Sequence, residues 1–185
     1  MSVLNIPNFL TLLRLFAIPV FLILLGDHRY GQALAVFVGA GVTDALDGAI
    51  ARLTHTKTTL GAYLDPAADK LLLLSAFISL ALMNEVPRWL TVLVLSRDVV
   101  VVLGYFLLFT ITQETMEVRP TVAGKLSTFF QLGSVALVLV GLVRPDVVVP
   151  ELERGVFYAA GTMTTLAGVQ YVHRGLVWVQ VRGDA

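Results

Sequence analysis

Six apolar stretches follow one another along the chain: Phe9–Leu25, Tyr30–Leu53, Leu60–Met83, Trp89–Thr112, Thr121–Val143 and Val156–Val177. Each is long enough, as a helix, to cross a bilayer core of about 30 Å. The breaks between them are short and polar: Gly26–Arg29, Thr54–Thr58, Asn84–Arg88, Gln113–Pro120 and Arg144–Arg154. Such connections suit antiparallel neighbours. No stretch reads as a linker or a second domain, so residues 1–185 are expected to form a single membrane domain. Strand-like alternation is missing, which argues against a β-barrel. Composition agrees: of 185 residues 57% are hydrophobic and 14% charged, against roughly 25% charged in average soluble domains. Thirteen basic and thirteen acidic residues give a formal net charge of zero, which argues against a general nucleic-acid binder. The absence of cysteine removes disulfides, thiolate nucleophiles and Cys-ligated zinc. The expected fold is therefore an all-α integral membrane protein of six transmembrane helices.

The N-terminal segment Met1–Pro7 has no Lys or Arg, and Arg14 interrupts the apolar run, so the first span is read as retained rather than as a signal peptide. Loop charge does not set the orientation. With the N-terminus inside, Arg52, Lys57, Arg119, Arg174 and Arg182 lie on one side and Arg29, Arg88, Arg144 and Arg154 on the other.

Ten charged residues fall within the spans or at their ends: Arg14, Asp44, Asp47, Arg52, Asp65, Asp69, Lys70, Arg97, Asp98 and Lys125. Each would cost a few kcal/mol facing lipid at mid-depth, so they are expected to face a polar cavity or one another. In an alternating bundle most of them lie toward the membrane face that carries the Thr54–Thr58 loop. Arg97 and Asp98 lie nearer the middle. The cavity is thus expected to open on one side. Buried salt bridges that only fix helix packing are the plainer alternative.

The acidic members have a pattern. Asp44 and Asp47 are three residues apart, and Asp65 and Asp69 four apart, so each pair shares a helical face. Four carboxylates brought together by two linked helices cannot all stay ionised without cations. A hard divalent ion with oxygen ligands, Mg²⁺, Mn²⁺ or Ca²⁺, is the natural partner. Gly48, Ala51 and Gly61 lie on the same faces and reduce side-chain bulk there, either for a substrate or for close helix packing. Pro66 inside a helix would free a carbonyl and kink the chain, and Pro19 would act likewise in the first span.

Written out, the pattern is Asp44-x2-Asp47-Gly48-x2-Ala51-Arg52-x8-Gly61-x3-Asp65-x3-Asp69. It resembles the signature of the CDP-alcohol phosphatidyltransferases at all eight positions. The likeness extends to the six spans and the opening Asn5-Ile6-Pro7-Asn8. The resemblance implies transfer of a phosphatidyl group from CDP-diacylglycerol to an alcohol, with release of CMP. It implies that Asp44, Asp47, Asp65 and Asp69 hold two divalent cations, Mg²⁺ or Mn²⁺. It gives Asp69 the role of taking the proton of the attacking hydroxyl, and it places Asp44, Gly48, Ala51, Arg52, Gly61 and Asp65 around the CDP portion. It further implies a homodimer, a bacterial cytoplasmic membrane and a site facing the cytoplasm. His28, His55 and His173 are expected in loops or at a helix end, away from any Ser–His or Cys–His pair.

The acceptor is read from the remaining basic residues: Arg14, Lys70, Arg97, Arg119 and Lys125. The phosphatidylglycerophosphate synthase branch of the family, whose acceptor is glycerol 3-phosphate, carries Arg-Glu in the fourth span and a second Arg eight residues on. Here the pair is Arg97-Asp98, and Tyr105 stands eight residues after Arg97. Ser96-Arg97-Asp98-Val99, Arg119-Pro120-Thr121 and Lys125-x2-Thr128-x2-Gln131 are more similar to the cardiolipin synthase branch, whose acceptor is phosphatidylglycerol. A cation or proton transporter is the alternative from another class, since intramembrane carboxylates with basic partners suit it as well. No inverted repeat supports that alternative. In the fifth and sixth spans Gly133, Gly141, Gly155, Gly161 and Gly168 are candidates for close helix contact.

Overall fold

The computed structural model describes residues 6–54, 59–112 and 121–183, with side-chain surroundings over 12–43, 68–110 and 121–178. The described residues form six helices: α1 (Ile6–Gly26), α2 (Tyr30–Thr54), α3 (Thr59–Leu82), α4 (Arg88–Thr112), α5 (Val122–Val143) and α6 (Pro150–Gly183). The apolar runs therefore mark the helices to within a few residues, except in α6. That helix begins six residues before the apolar stretch and continues six residues past its end. Pro150 is pre-organised for a first helical position, and Glu151 and Glu153 in the first turn favour the positive end of the helix dipole. Hydropathy marks the part suited to lipid, whereas caps and dipole set where the helix ends. α1 is helical through Pro19.

Two connections end in the same way. His28 (φ 57°) and Asn84 (φ 63°) adopt the left-handed conformation just past α1 and α3. After α3 the Glu85 N–H donates to the Leu80 carbonyl at 2.9 Å and the Asn84 N–H to Ala81 at 3.1 Å. After α1 the Arg29 N–H donates to Leu24 at 2.8 Å and the His28 N–H to Leu25 at 3.1 Å. Both are Schellman caps, which satisfy terminal carbonyls and turn the chain sharply. α5 starts on a side-chain cap, with the Gly124 N–H donating to Thr121 Oγ1 at 2.9 Å.

The helices sort into two compact units. The first comprises Met1–Glu85 with Val135–Val149, the second Val86–Ser134 with Pro150–Ala185. α5 thus contributes its first half to one and its second half to the other. In the first unit α1 packs on α2 and α3. Phe21 and Phe37 meet there with ring centroids 5.9 Å apart, and Ala68, Ala76, Phe77 and Leu80 of α3 are fully buried. In the second unit α4 packs on α6. Trp89 and Tyr158 stack at 5.7 Å. Buried Gln131 on α5 donates from Nε2 to Thr164 Oγ1 on α6 at 2.8 Å.

The outward surface is apolar. Phe16, Leu82, Phe106, Val122 and Phe129 are each more than two-thirds exposed. Apolar exposure on this scale marks a surface that meets something other than water. Among the described residues two helices, Arg88–Thr110 and Val122–Val143, are long and apolar enough to cross a membrane. Leu12–Gly26 and Tyr30–Thr43 are shorter apolar helical segments.

Candidate active site

α1 crosses α3 so that Arg14 meets Asp69: Nη1 lies 2.7 Å from Oδ1. The partners differ in burial. The arginine side chain is 3% exposed and that of the aspartate 41%. A guanidinium so deep in an apolar helix pair requires an anion. Asp69 supplies it through Oδ1, and its own side chain is 41% exposed. A carboxylate that keeps this much exposure can be reached by a proton donor or a cation. Lys70 follows, half-buried. Arg14, expected as an acceptor-binding residue, thus sits on the carboxylate expected to be the base. The contact joins residues far apart in the chain, so spacing alone does not indicate it.

The rest of the aspartate motif divides between two helices. Asp44, Asp47, Gly48, Ala51 and Arg52 lie on the last turns of α2, and Gly61 and Asp65 on the first turns of α3. Their side chains are outside the described residues, as is Arg119 altogether. Among the described residues no three His, Asp or Glu side chains group to hold a metal.

Arg97 donates from Nη1 to Asp98 Oδ1 at 2.7 Å, both side chains largely buried. This neighbouring pair neutralises itself within α4. Lys125 is exposed in the first turn of α5. Two residues of the secondary motifs have packing roles: Thr121 caps α5 and Gln131 binds Thr164. His28 lies in the first turn, its Nδ1 2.6 Å from Tyr30 Oη. His173 differs from its expected place at a helix end, because α6 continues to Gly183. It is exposed on the helix, beside Arg174.

An all-α protein with an apolar exterior, two helices of membrane-spanning length and a buried arginine on a half-exposed aspartate is the class that the fold and site define. The sequence model of the family described as CDP-alcohol phosphatidyltransferase matches residues 4–170. The chain is 38% identical over 178 residues to a protein named "Probable phosphatidylglycerophosphate synthase" from Mycobacterium tuberculosis, covering 93% of this chain and 82% of that one. It is 36% identical over 144 residues to a "Putative cardiolipin synthase" of the same organism, covering 77% and 68%. To the human "Cardiolipin synthase (CMP-forming)" it is 32% identical over 197 residues, covering 97% and 64%. The chain belongs to the CDP-alcohol phosphatidyltransferase family.

Proposed function

We propose that this protein is a cardiolipin synthase of the CMP-forming kind, transferring the phosphatidyl group of CDP-diacylglycerol to a hydroxyl of phosphatidylglycerol. The observation that carries the reaction is the eight-position aspartate motif inside the matched region, with its last member half-exposed and paired with Arg14. The chain works as one domain of six transmembrane helices around a polar cavity. That cavity faces the cytoplasm of a bacterial cytoplasmic membrane, and the protein is a homodimer.

The residues divide the work. Asp69 accepts the proton of the attacking hydroxyl at its carboxylate, and Arg14 holds that carboxylate in place. A positioned base of this kind is worth about 10²–10⁴-fold in rate. Asp44, Gly48, Ala51, Arg52, Gly61 and Asp65 surround the CDP portion. The guanidinium of Arg52 donates to phosphate oxygens, and the small residues let the nucleotide approach the helix backbone. The donor set is all carboxylate, which fits hard divalent ions. Asp44, Asp47, Asp65 and Asp69 would hold two cations, Mg²⁺ or Mn²⁺, which would supply positive charge at the pyrophosphate when bound. Lys70, Arg97, Arg119 and Lys125 remain the candidates for binding acceptor phosphate, with Arg14 now read chiefly as the partner of Asp69.

Tyr105, half-exposed on α4 where the glycerol-phosphate branch carries arginine, supports the lipid acceptor. The mycobacterial relative named for phosphatidylglycerophosphate synthesis favours the second reading, in which the acceptor is glycerol 3-phosphate. An acceptor competition separates them. Purified protein receives CDP-diacylglycerol, Mg²⁺ or Mn²⁺, and either phosphatidylglycerol or glycerol 3-phosphate, and CMP is measured. Release with phosphatidylglycerol is expected; release with glycerol 3-phosphate alone overturns the acceptor assignment.

A further inference from the structure

The first unit carries a hollow at the end of α2 remote from the aspartate motif. Its volume is about 450 Å³. One wall is the turn from α1 into α2, with His28, Arg29, Tyr30 and Gln32. The other is the last turn of α5, with Leu142 and Val143. From Tyr30 to Asp44 α2 rises about 21 Å at 1.5 Å per residue. The hollow and the motif therefore lie at opposite ends of one helix. In the six-span placement proposed above, that end stands at the level of the lipid headgroups, on the membrane face opposite the active site.

The polar wall is fixed in shape. The Schellman cap of α1 sets its backbone. Tyr30 Oη lies 2.6 Å from His28 Nδ1, and the two rings meet edge to face with centroids 5.7 Å apart. Tyr30 thus occupies one ring nitrogen of His28, and Nε2 is the one left to meet a ligand. Arg29 stands exposed beside it, and among the described residues no carboxylate pairs with its guanidinium. Asp27 and Asp146, the acidic residues nearest in the chain, are exposed and do not line the hollow, and Arg144 directly follows Val143. A guanidinium, an imidazole and an amide on one wall suit the oxygens of a phosphate. The apolar wall suits the glycerol and first methylenes of a lipid, and a free phosphate would gain nothing from it. A basic pocket between membrane helices favours an anionic headgroup. A choline headgroup would set its own cation against Arg29.

We infer that this hollow binds the phosphate of one anionic phospholipid, in the leaflet opposite the active site. Arg29, His28 and Gln32 hold the phosphate, and Leu142 and Val143 cover the start of the lipid's apolar part. The inference rests on the membrane placement proposed above and is independent of the transfer reaction and its acceptor. Phosphatidic acid is the probe, because it carries neither a CDP group nor an alcohol hydroxyl and so is not a substrate of the proposed transfer. The full chain, stripped of lipid in detergent and kept free of divalent ions, is titrated with phosphatidic acid or phosphatidylcholine of equal chain length. Bound lipid is counted by native mass spectrometry. One tightly held phosphatidic acid per chain is expected, with phosphatidylcholine bound several-fold more weakly. Arg29→Gln is expected to lower phosphatidic acid affinity about five-fold. His28→Asn, which keeps a residue that tolerates the left-handed conformation, is expected to lower it about two-fold. Helical circular dichroism identifies any variant that fails to fold. CMP release by Arg29→Gln is expected to match that of the unaltered protein. Equal binding of the two lipids overturns the inference, as does undiminished phosphatidic acid affinity in both folded variants. Inorganic phosphate bound as tightly as phosphatidic acid overturns the assignment to a lipid. A loss of CMP release in Arg29→Gln as large as its loss of lipid affinity overturns the separation from the active site. The titration contains no CDP-diacylglycerol, so a failed transfer assay leaves the binding result standing.

Discussion

Arg14 and Asp69 divide one contact unequally. The arginine is buried and the aspartate half-exposed, so each substitution has its own signature. Asp69→Asn keeps the shape and removes the base. Turnover is expected to fall by about 10²–10⁴-fold while CDP-diacylglycerol binding survives, measured by lipid binding beside CMP release. An equal loss of binding would make Asp69 chiefly a metal ligand. Arg14 acts through Asp69 as a positioning residue. Arg14→Gln is expected to lower kcat about 10–100-fold, as loss of an orienting partner commonly does, with KM for CDP-diacylglycerol nearly unchanged. A raised KM for the acceptor with kcat intact would instead return Arg14 to acceptor binding. At this scale the sequence is only partly legible. The adjacent Arg97–Asp98 pair is readable from its spacing. The Arg14–Asp69 pair is not, because it depends on how α1 crosses α3. Thr121 and Gln131 fit a family motif when read along the chain. In space, one caps a helix and the other joins two.

At the scale of the element, the glycines of α6 explain how α4 fits. Gly161, Gly168 and Gly175 recur every seven residues and receive Trp89, Arg97 and Leu108. A Cβ on Gly161 would stand 2.6 Å from Trp89 Cζ3. Gly161→Ala is therefore expected to cost roughly 1–3 kcal/mol, the usual scale of overpacking, and most of that cost is expected to vanish in a Trp89→Ala background. A double-mutant cycle on thermal unfolding in detergent measures the coupling. Additive effects would show that the ring does not press on the glycine. Of the glycines singled out for close contact, Gly161 and Gly168 face α4 side chains and Gly141 faces Val148, while at Gly133 and Gly155 no atom of the described residues would lie within 4 Å of an added Cβ. Composition marks that a helix has small residues, but the partner helix decides which of them are covered. Helix ends follow the same logic. Hydropathy places α2 and α4 closely. It misses the first and last turns of α6: Pro150 and the first-turn glutamates start the helix ahead of the apolar run, and it continues past that run to Gly183.

For the whole molecule, large apolar side chains face outward on every helix with described side chains. The protein is accordingly expected to stay with membranes through high-salt and alkaline washing and to enter solution only with detergent. Recovery in the soluble fraction after alkaline washing would contradict the six-span reading. The central claim is that the aspartates of α2 and α3 transfer a phosphatidyl group from CDP-diacylglycerol to phosphatidylglycerol. The direct measurement is product stoichiometry: purified protein is given both lipids and Mg²⁺ or Mn²⁺, and CMP and cardiolipin are quantified together. The account predicts equal amounts of the two, and neither after chelation of the divalent ion. CMP without cardiolipin, or cardiolipin formed at full rate under chelation, would contradict it.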